Sequence, residues 1–176
     1  MSLLLLCICS QKVTAQSKKI RLTLLPEAGL VSFDGKSGRG WGLYAKASLP
    51  TSSTGALTLT TGMGRATLKK LIGSSEDYAI RSIPVLVGYE HAMGNFRIEP
   101  QLGLGELGGK YTLLGVVARP SVASFFSALA VRYQWKPVSV GLRAQYQKSI
   151  EGSEAGTWYR SRMGFYTIEV GIPLIR

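Results

Sequence analysis

Few side chains in this sequence are suited to covalent, redox or metal chemistry, and each sits in a context that points elsewhere. The chain has one histidine, His91, and two cysteines, Cys7 and Cys9, both inside an apolar N-terminal run. A serine or cysteine nucleophile needs a base within hydrogen-bond reach and a third group to orient that base. His91 follows Glu90 at a short turn, away from the long polar connections, and reads as a solvated turn residue. One histidine and no thiol beyond residue 9 give no ligand set for a transition metal. Gly103-Leu-Gly-Glu-Leu-Gly108 spells G-x-G-x-x-G, but a dinucleotide site needs a helix next, whose N-terminus holds the pyrophosphate. Gly109-Lys-Tyr-Thr-Leu-Leu-Gly115 follows instead, with no helical stripe, so Gly103 and Gly105 read as small residues on a crowded strand face. Gly109-Lys110 lacks both the earlier glycine and the following Ser/Thr of a phosphate loop. No catalytic residue, cofactor or metal is expected.

The N-terminus has its own grammar. Leu3 to Cys9 is an apolar run, and Val13-Thr14-Ala15 places small residues where a signal peptidase reads them. Residues 1–15 are expected to be a secretory signal, cut after Ala15 or Gln16, with 16–176 as one domain. Both cysteines leave with it. Leu6 and Ile8, which precede them, are not the small residues that lipoprotein processing wants.

The elements that must position the remaining side chains follow from composition and period. Only 18% of the 176 residues are charged, against about a quarter in soluble domains, while 45% are hydrophobic and 21 are glycine. The apolar content excludes a disordered chain. The longest charge-free apolar run is Leu3 to Cys9, well short of the roughly 18 residues of a spanning helix. Beyond Lys18 the chain alternates with period two in runs of about ten residues, broken by Gly/Pro/Ser/Lys clusters. Eight strands are predicted, over Ile20–Val31, Gly40–Leu49, Ala56–Arg65, Tyr78–Glu90, Phe96–Glu106, Ser124–Trp135, Val138–Gln147 and Gly164–Leu174. A bulge is expected near Ser82–Pro84, and bulges or strand ends at Pro26, Pro84, Pro100 and Pro173, each of which lacks a ladder donor. The connections at Pro50–Gly55, His91–Asn95 and Lys136–Pro137 are short. Those at Ser32–Arg39, Ala66–Asp77, Leu107–Ala123 and Lys148–Met163 are long, so one end of a meander carries tight turns and the other long loops. The apolar stretch Leu113–Ala118 is expected to extend the strands around it.

Alternation alone does not say which face points inward, and a soluble ligand-binding barrel would put its apolar face inside. Two features favour the opposite. Tyr89, Phe96, Tyr133 and Trp135 fall on the apolar face at the short-turn end, and Trp41, Phe125, Tyr146 and Tyr166 at the long-loop end, with aliphatic residues between. Two aromatic girdles around an aliphatic band match the two interfaces of a bilayer. The polar face carries Arg21, Lys46, Arg97, Arg132 and Arg143 against Glu27, Glu90, Glu99, Glu106 and Glu169, an even match that a closed, water-poor interior requires.

With the meander, both girdles and a signal segment, the chain resembles the small outer-membrane β-barrels of diderm bacteria, the group of the OmpA transmembrane domain and OmpX-like barrels. Ile83-Pro-Val-Leu-Val-Gly-Tyr-Glu90 and Phe96-Arg-Ile-Glu-Pro-Gln-Leu-Gly-Leu-Gly105 look like that group's central hairpin. The chain ends Leu174-Ile175-Arg176, where the group commonly has an aromatic. The resemblance implies an all-β, eight-stranded, antiparallel up-and-down transmembrane barrel in the outer membrane, with short periplasmic turns and longer extracellular loops. It implies outer-membrane lipid and the outer-membrane assembly machinery as partners, and a monomer. A non-catalytic structural or surface-interaction role is expected, with a narrow solute pore as the alternative, then a soluble periplasmic barrel. Of the net charge of +11, Lys12 leaves with the signal, and Lys18, Lys19, Lys136 and Arg176 are expected at the short-turn end. The rest is expected at the loop end, where Lys36, Arg39, Lys69, Lys70, Arg160 and Arg162, with Arg65, Arg81, Lys110, Arg119 and Lys148 at the same end, are expected as a rim facing lipopolysaccharide phosphates. Nucleic acid is not expected, because the aromatics lie on the lipid band and not among the basic residues.

Overall fold

A strand whose side chains alternate can hide its backbone in lipid only if every ladder bond finds a partner, which requires a sheet without edges. The computed structural model, which describes residues 19–33, 36–68, 78–113, 116–118, 121–150 and 162–175, has that form. The strands are β1 (Arg21–Phe33), β2 (Lys36–Pro50), β3 (Gly55–Leu68), β4 (Tyr78–Met93), β5 (Phe96–Leu113), β6 (Val116–Ala118), β7 (Ser121–Trp135), β8 (Val138–Ser149) and β9 (Arg162–Ile175). Eight of them run antiparallel in the order β4-β3-β2-β1-β9-β8-β7-β5, and β4 pairs with β5 to close the barrel. The three-residue β6 is an appendage that pairs with the end of β5 from Tyr111 to Leu113. The apolar stretch at 113–118 is therefore strand extension where it is described.

The strands run further toward the long-loop end than alternation alone marks. β1 and β2 stay paired to Phe33↔Lys36, so the expected long connection at Ser32–Arg39 is instead a hairpin with two residues between its strands. At the other end the turns are tight. Gly94, at φ 61°, opens the two-residue turn between β4 and β5, a left-handed conformation that only glycine adopts freely. Lys136 and Pro137, joined by a cis peptide, link β7 to β8.

The prolines act one rung at a time. Pro84 interrupts the β3–β4 ladder, whose Gly64↔Ser82 and Thr61↔Val85 pairs nonetheless share one register, so the bulge expected at Ser82–Pro84 is absent. Pro26 and Pro100 likewise fall where one neighbour's rungs lapse without a shift. Only beside Pro173, between the Leu22 and Thr23 rungs, does the register slip. A missing N–H costs one bond, and the partner on the other side keeps the strand in place.

Inward glycines make room for large side chains. Tyr44 is buried across the barrel, and a Cβ added to Gly42 would come within 2.5 Å of its ring. A Cβ at Gly64 would come within 2.7 Å of its hydroxyl, and the Arg143 guanidinium sits 5.0 Å from its ring centroid. Gly42→Val is expected to lower stability by about 1–3 kcal/mol through overpacking. Urea unfolding in detergent micelles measures this, and an unshifted midpoint would show that Tyr44 does not need the space.

Candidate functional site: the barrel interior and its two ends

Direction decides the chemistry of the wall. Leu142 is 66% exposed whereas its neighbour Arg143 is 2% exposed, and Ile168 is 60% exposed beside Glu169 at 0%. The aliphatic set faces out and the charged set faces in, which excludes a soluble barrel with an apolar calyx. All eight aromatics singled out in the sequence (Trp41, Tyr89, Phe96, Phe125, Tyr133, Trp135, Tyr146 and Tyr166) lie exposed on the outer wall. Phe96 and Tyr133 meet edge to face at 5.3 Å on neighbouring strands. Phe125 and Trp135 stand ten residues apart on β7, about 25 Å along the axis of a tilted strand, the height of the apolar band in such barrels.

At mid-height the interior is an ion-pair layer. Lys46 on β2 donates to Glu90 on β4 at 2.6 Å and to Glu99 on β5 at 3.1 Å. Arg132 on β7 bonds Glu99 and lies 2.5 Å from Glu169 on β9. Arg143 on β8 lies 3.9 Å from both Glu169 and Glu27, and Thr167 donates to Glu27 at 3.1 Å. Gln101 donates to Glu99 at 2.7 Å and to Thr60 on β3 at 2.9 Å. The layer thus draws a side chain from each of the eight barrel strands.

Nine of the ten residues assigned to this interior point inward; Glu106 does not. Its parity on β5 matches Leu102 and Leu104, both exposed on the wall, and it pairs outside with Arg81 at 3.0 Å. Without Glu106 the set holds five cations against four carboxylates, so the match is not even.

Toward the loops the polarity of the wall inverts. Inward positions become apolar, with Val31, Phe33, Leu68, Ile80, Leu107, Met163 and Phe165 packed as a plug. Outward positions become polar: Arg39, Arg65, Arg81, Lys110, Lys148 and Arg162 are exposed there. A barrel with apolar core and charged surface is built for water, so the inversion marks where the wall leaves hydrocarbon. Sequence reasoning missed this plug, although its residues share the parity of the polar face near the strand ends.

The loop-end rim differs from the expected one. Arg39 and Arg162 are exposed on β2 and β9, while Lys36 is half-buried at the start of β2. Lys69, Lys70 and Arg160 lie outside the described residues, as does the N-terminal segment to residue 18. Arg65, Arg81 and Lys110, which the sequence also places at this end, line a groove of about 450 Å³ on the outer wall together with Glu106 and Ser121. At the short-turn end the interior opens instead into a cavity of about 490 Å³, whose charged lining is Arg21, Lys46, Glu90, Arg97, Arg132 and Lys136.

No family model matches this sequence, and no curated protein matches it. Solved structures do. The chain is similar to Neisserial surface protein A, at TM-score 0.62 and 15% identity over 87% of this chain and 96% of that one. It is similar to Ail, the attachment invasion locus protein of Yersinia pestis, crystallised with the heparin analogue sucrose octasulfate, at 0.63 and 12% over 90% and 100%. The outer membrane enzyme PagL matches at 0.55 and 19% over 85% and 99%. These likenesses show the fold, that of the small eight-stranded outer-membrane β-barrels.

Arg132→Met is expected to cost about 3–5 kcal/mol, because Glu99 and Glu169 would keep buried charges without their shared partner. Equilibrium unfolding in lipid vesicles checks this; a loss no larger than that of Arg81→Met on the outer wall would show that the layer is not the keystone of the interior.

Proposed function

We propose that this chain is a non-catalytic outer-membrane protein that seals its own barrel and contacts the envelope through its loop-end rim. The observation that carries the reading is the filled interior. A solute would have to part the Lys46–Glu99–Arg132–Glu169 layer and then a plug that includes Phe33, Leu68 and Phe165. Breaking one such buried pair costs several kcal/mol, and an apolar constriction resists wetting. His91, exposed on the outer wall at the short-turn end, is a poor base for substrates arriving from the loop side.

The rim supports a phosphate partner. Arg65 is the cross-strand partner of Trp41 on β2 and of Arg81 on β4, so both arginines lie at the level of the loop-side aromatic girdle, where lipopolysaccharide would carry its phosphates. Glu106 neutralises one of them at most, and guanidinium forks suit phosphate oxygens. Ail, a barrel of the same fold, binds a polyanionic sugar in its crystal.

Two measurements test this. In planar bilayers the purified protein is expected to give no stable single-channel steps, and reproducible steps would favour the narrow pore. Arg65→Gln/Arg81→Gln is expected to reduce co-purified lipopolysaccharide several-fold with the heat-dependent gel shift of the folded barrel retained. Unchanged lipopolysaccharide would leave the rim merely solvated.

A further inference from the structure

The short-turn end of the interior has more cation than its carboxylate can use. Among the described residues, Glu90 is the only acid in the charged lining of the cavity there, and four cations lie within 4 Å of it. They are not equal claimants. Lys46 takes Glu90 Oε2 at 2.6 Å, and Arg132, 3.7 Å from that oxygen, is committed deeper down to Glu99 and Glu169. Arg21 and Arg97 reach only to 3.9 Å of Oε1, beyond hydrogen-bond range, and their Nε atoms are buried without a hydrogen-bond partner among the described residues. Lys136, in the β7–β8 turn, adds a third positive charge at the mouth.

Such a surplus has a cost. Like charges converging on a half-enclosed cavity repel, and buried guanidinium donors left unpaired forfeit hydrogen bonds. Nothing forces the sequence to place Arg21 and Arg97 inward if the only task were to fill space. An anion would answer both charges and donors. The cavity, about 490 Å³ and open at the barrel end, is within the size range of small-molecule sites. Two arginine forks and a lysine match the oxygens of a tetrahedral dianion better than a single carboxylate. Its floor is the ion-pair layer, so the site is a dead end and not the entrance of a channel.

We propose that this vestibule is a binding site for a small phosphate-class oxyanion, held by Arg21, Arg97 and Lys136, on the face opposite the loop-end rim. With short turns on the periplasmic side, the ligand would be a free periplasmic anion or the phosphate group of a small phosphorylated molecule. A lipid-borne phosphate is held at the outer wall and does not reach the barrel axis.

Titration of inorganic phosphate into the protein in an uncharged maltoside detergent, read by calorimetry, tests the site. One saturable site is expected. Arg21→Gln/Arg97→Gln should weaken it at least tenfold and Lys136→Gln about threefold, while Lys148→Gln on the outer wall should leave it within twofold. Glycerol phosphate binding with equal or higher affinity identifies the phosphorylated small molecule, and weaker binding identifies the free anion; either outcome supports the vestibule. Because Lys136 is exposed in a turn, its variant keeps the test valid even if the double variant does not fold. Absence of saturable binding to the wild-type protein, or binding lost in the Lys148 variant and kept in the Lys136 variant, would overturn the proposal.

Discussion

A backbone in hydrocarbon must satisfy its own hydrogen bonds, and closure of β4 onto β5 is how this chain does so. The remaining architecture follows from that one closure. With no edge, each strand's pleat assigns alternate side chains to lipid or to the axis, and a one-residue slip would exchange the two sets wholesale. The polar set then shares a space only a few side chains wide. Its members must therefore answer one another across the axis, which is why Lys46, Glu99, Arg132 and Glu169, on four different strands, form one connected layer. Breaking the closure would expose both an edge and a buried charge. The same alternation explains why the prolines are tolerated: each strand has two neighbours, so losing a rung to one leaves register fixed by the other.

Much of this was legible from period and residue type. The eight barrel strands, their antiparallel order and the outward direction of the aliphatic set follow from alternation together with the placement of aromatics, since Trp41, Trp135 and Tyr166 have no reason to gather at two levels inside a soluble core. Glu106 is the instructive miss. Its parity with Leu104 was available in the sequence, but a carboxylate among mobile-looking glycines invited assignment by charge sign instead of by position. The ladder shows no shift between Gln101 and Gly108 that would have turned Glu106 inward. The hairpin at Phe33–Lys36 was illegible for a different reason. Beyond the bilayer both faces of a strand read as mixed, because the inside turns apolar and the outside polar, and the mixture resembles a loop.

That inversion also separates two kinds of stability within one barrel. In the lower part, lipid solvates the outer wall and the interior is held by ion pairs, so folding there draws little from burial of apolar side chains in the core. In the upper part, the cluster of Val31, Phe33, Leu68, Ile80, Leu107, Met163 and Phe165 buries apolar surface as a water-soluble domain does, at about 25 cal/mol per Å². The plug therefore stabilises the loop-bearing end, where no lipid constrains the strands, and gives the connections a rigid base. It also places the tightest seal on the loop side, leaving the open space of the barrel at the short-turn end.

The two ends consequently meet charge in different ways. At the rim, Arg65 and Arg81 stand exposed outside the wall, and Arg81 pairs with Glu106 in contact with water. Such exposed partners exchange readily and contribute little to fold stability. In the vestibule, Arg21 and Arg97 converge on a single carboxylate already engaged by Lys46, inside a wall of low polarisability. Arg97, the more enclosed of the two, is screened less than Arg81 at the rim, so its charge is the costlier to leave uncompensated. The five-to-four count of interior charges is thus not a blemish in the pairing. The layer around Arg132 sets Lys46, Arg132 and Arg143 against four carboxylates, and Arg21 and Arg97, which turn the count positive, stand where the interior opens to water at the short-turn end. An arrangement selected only to fill the axis would distribute that excess or remove it; concentrating it at an open mouth makes it available to something from outside.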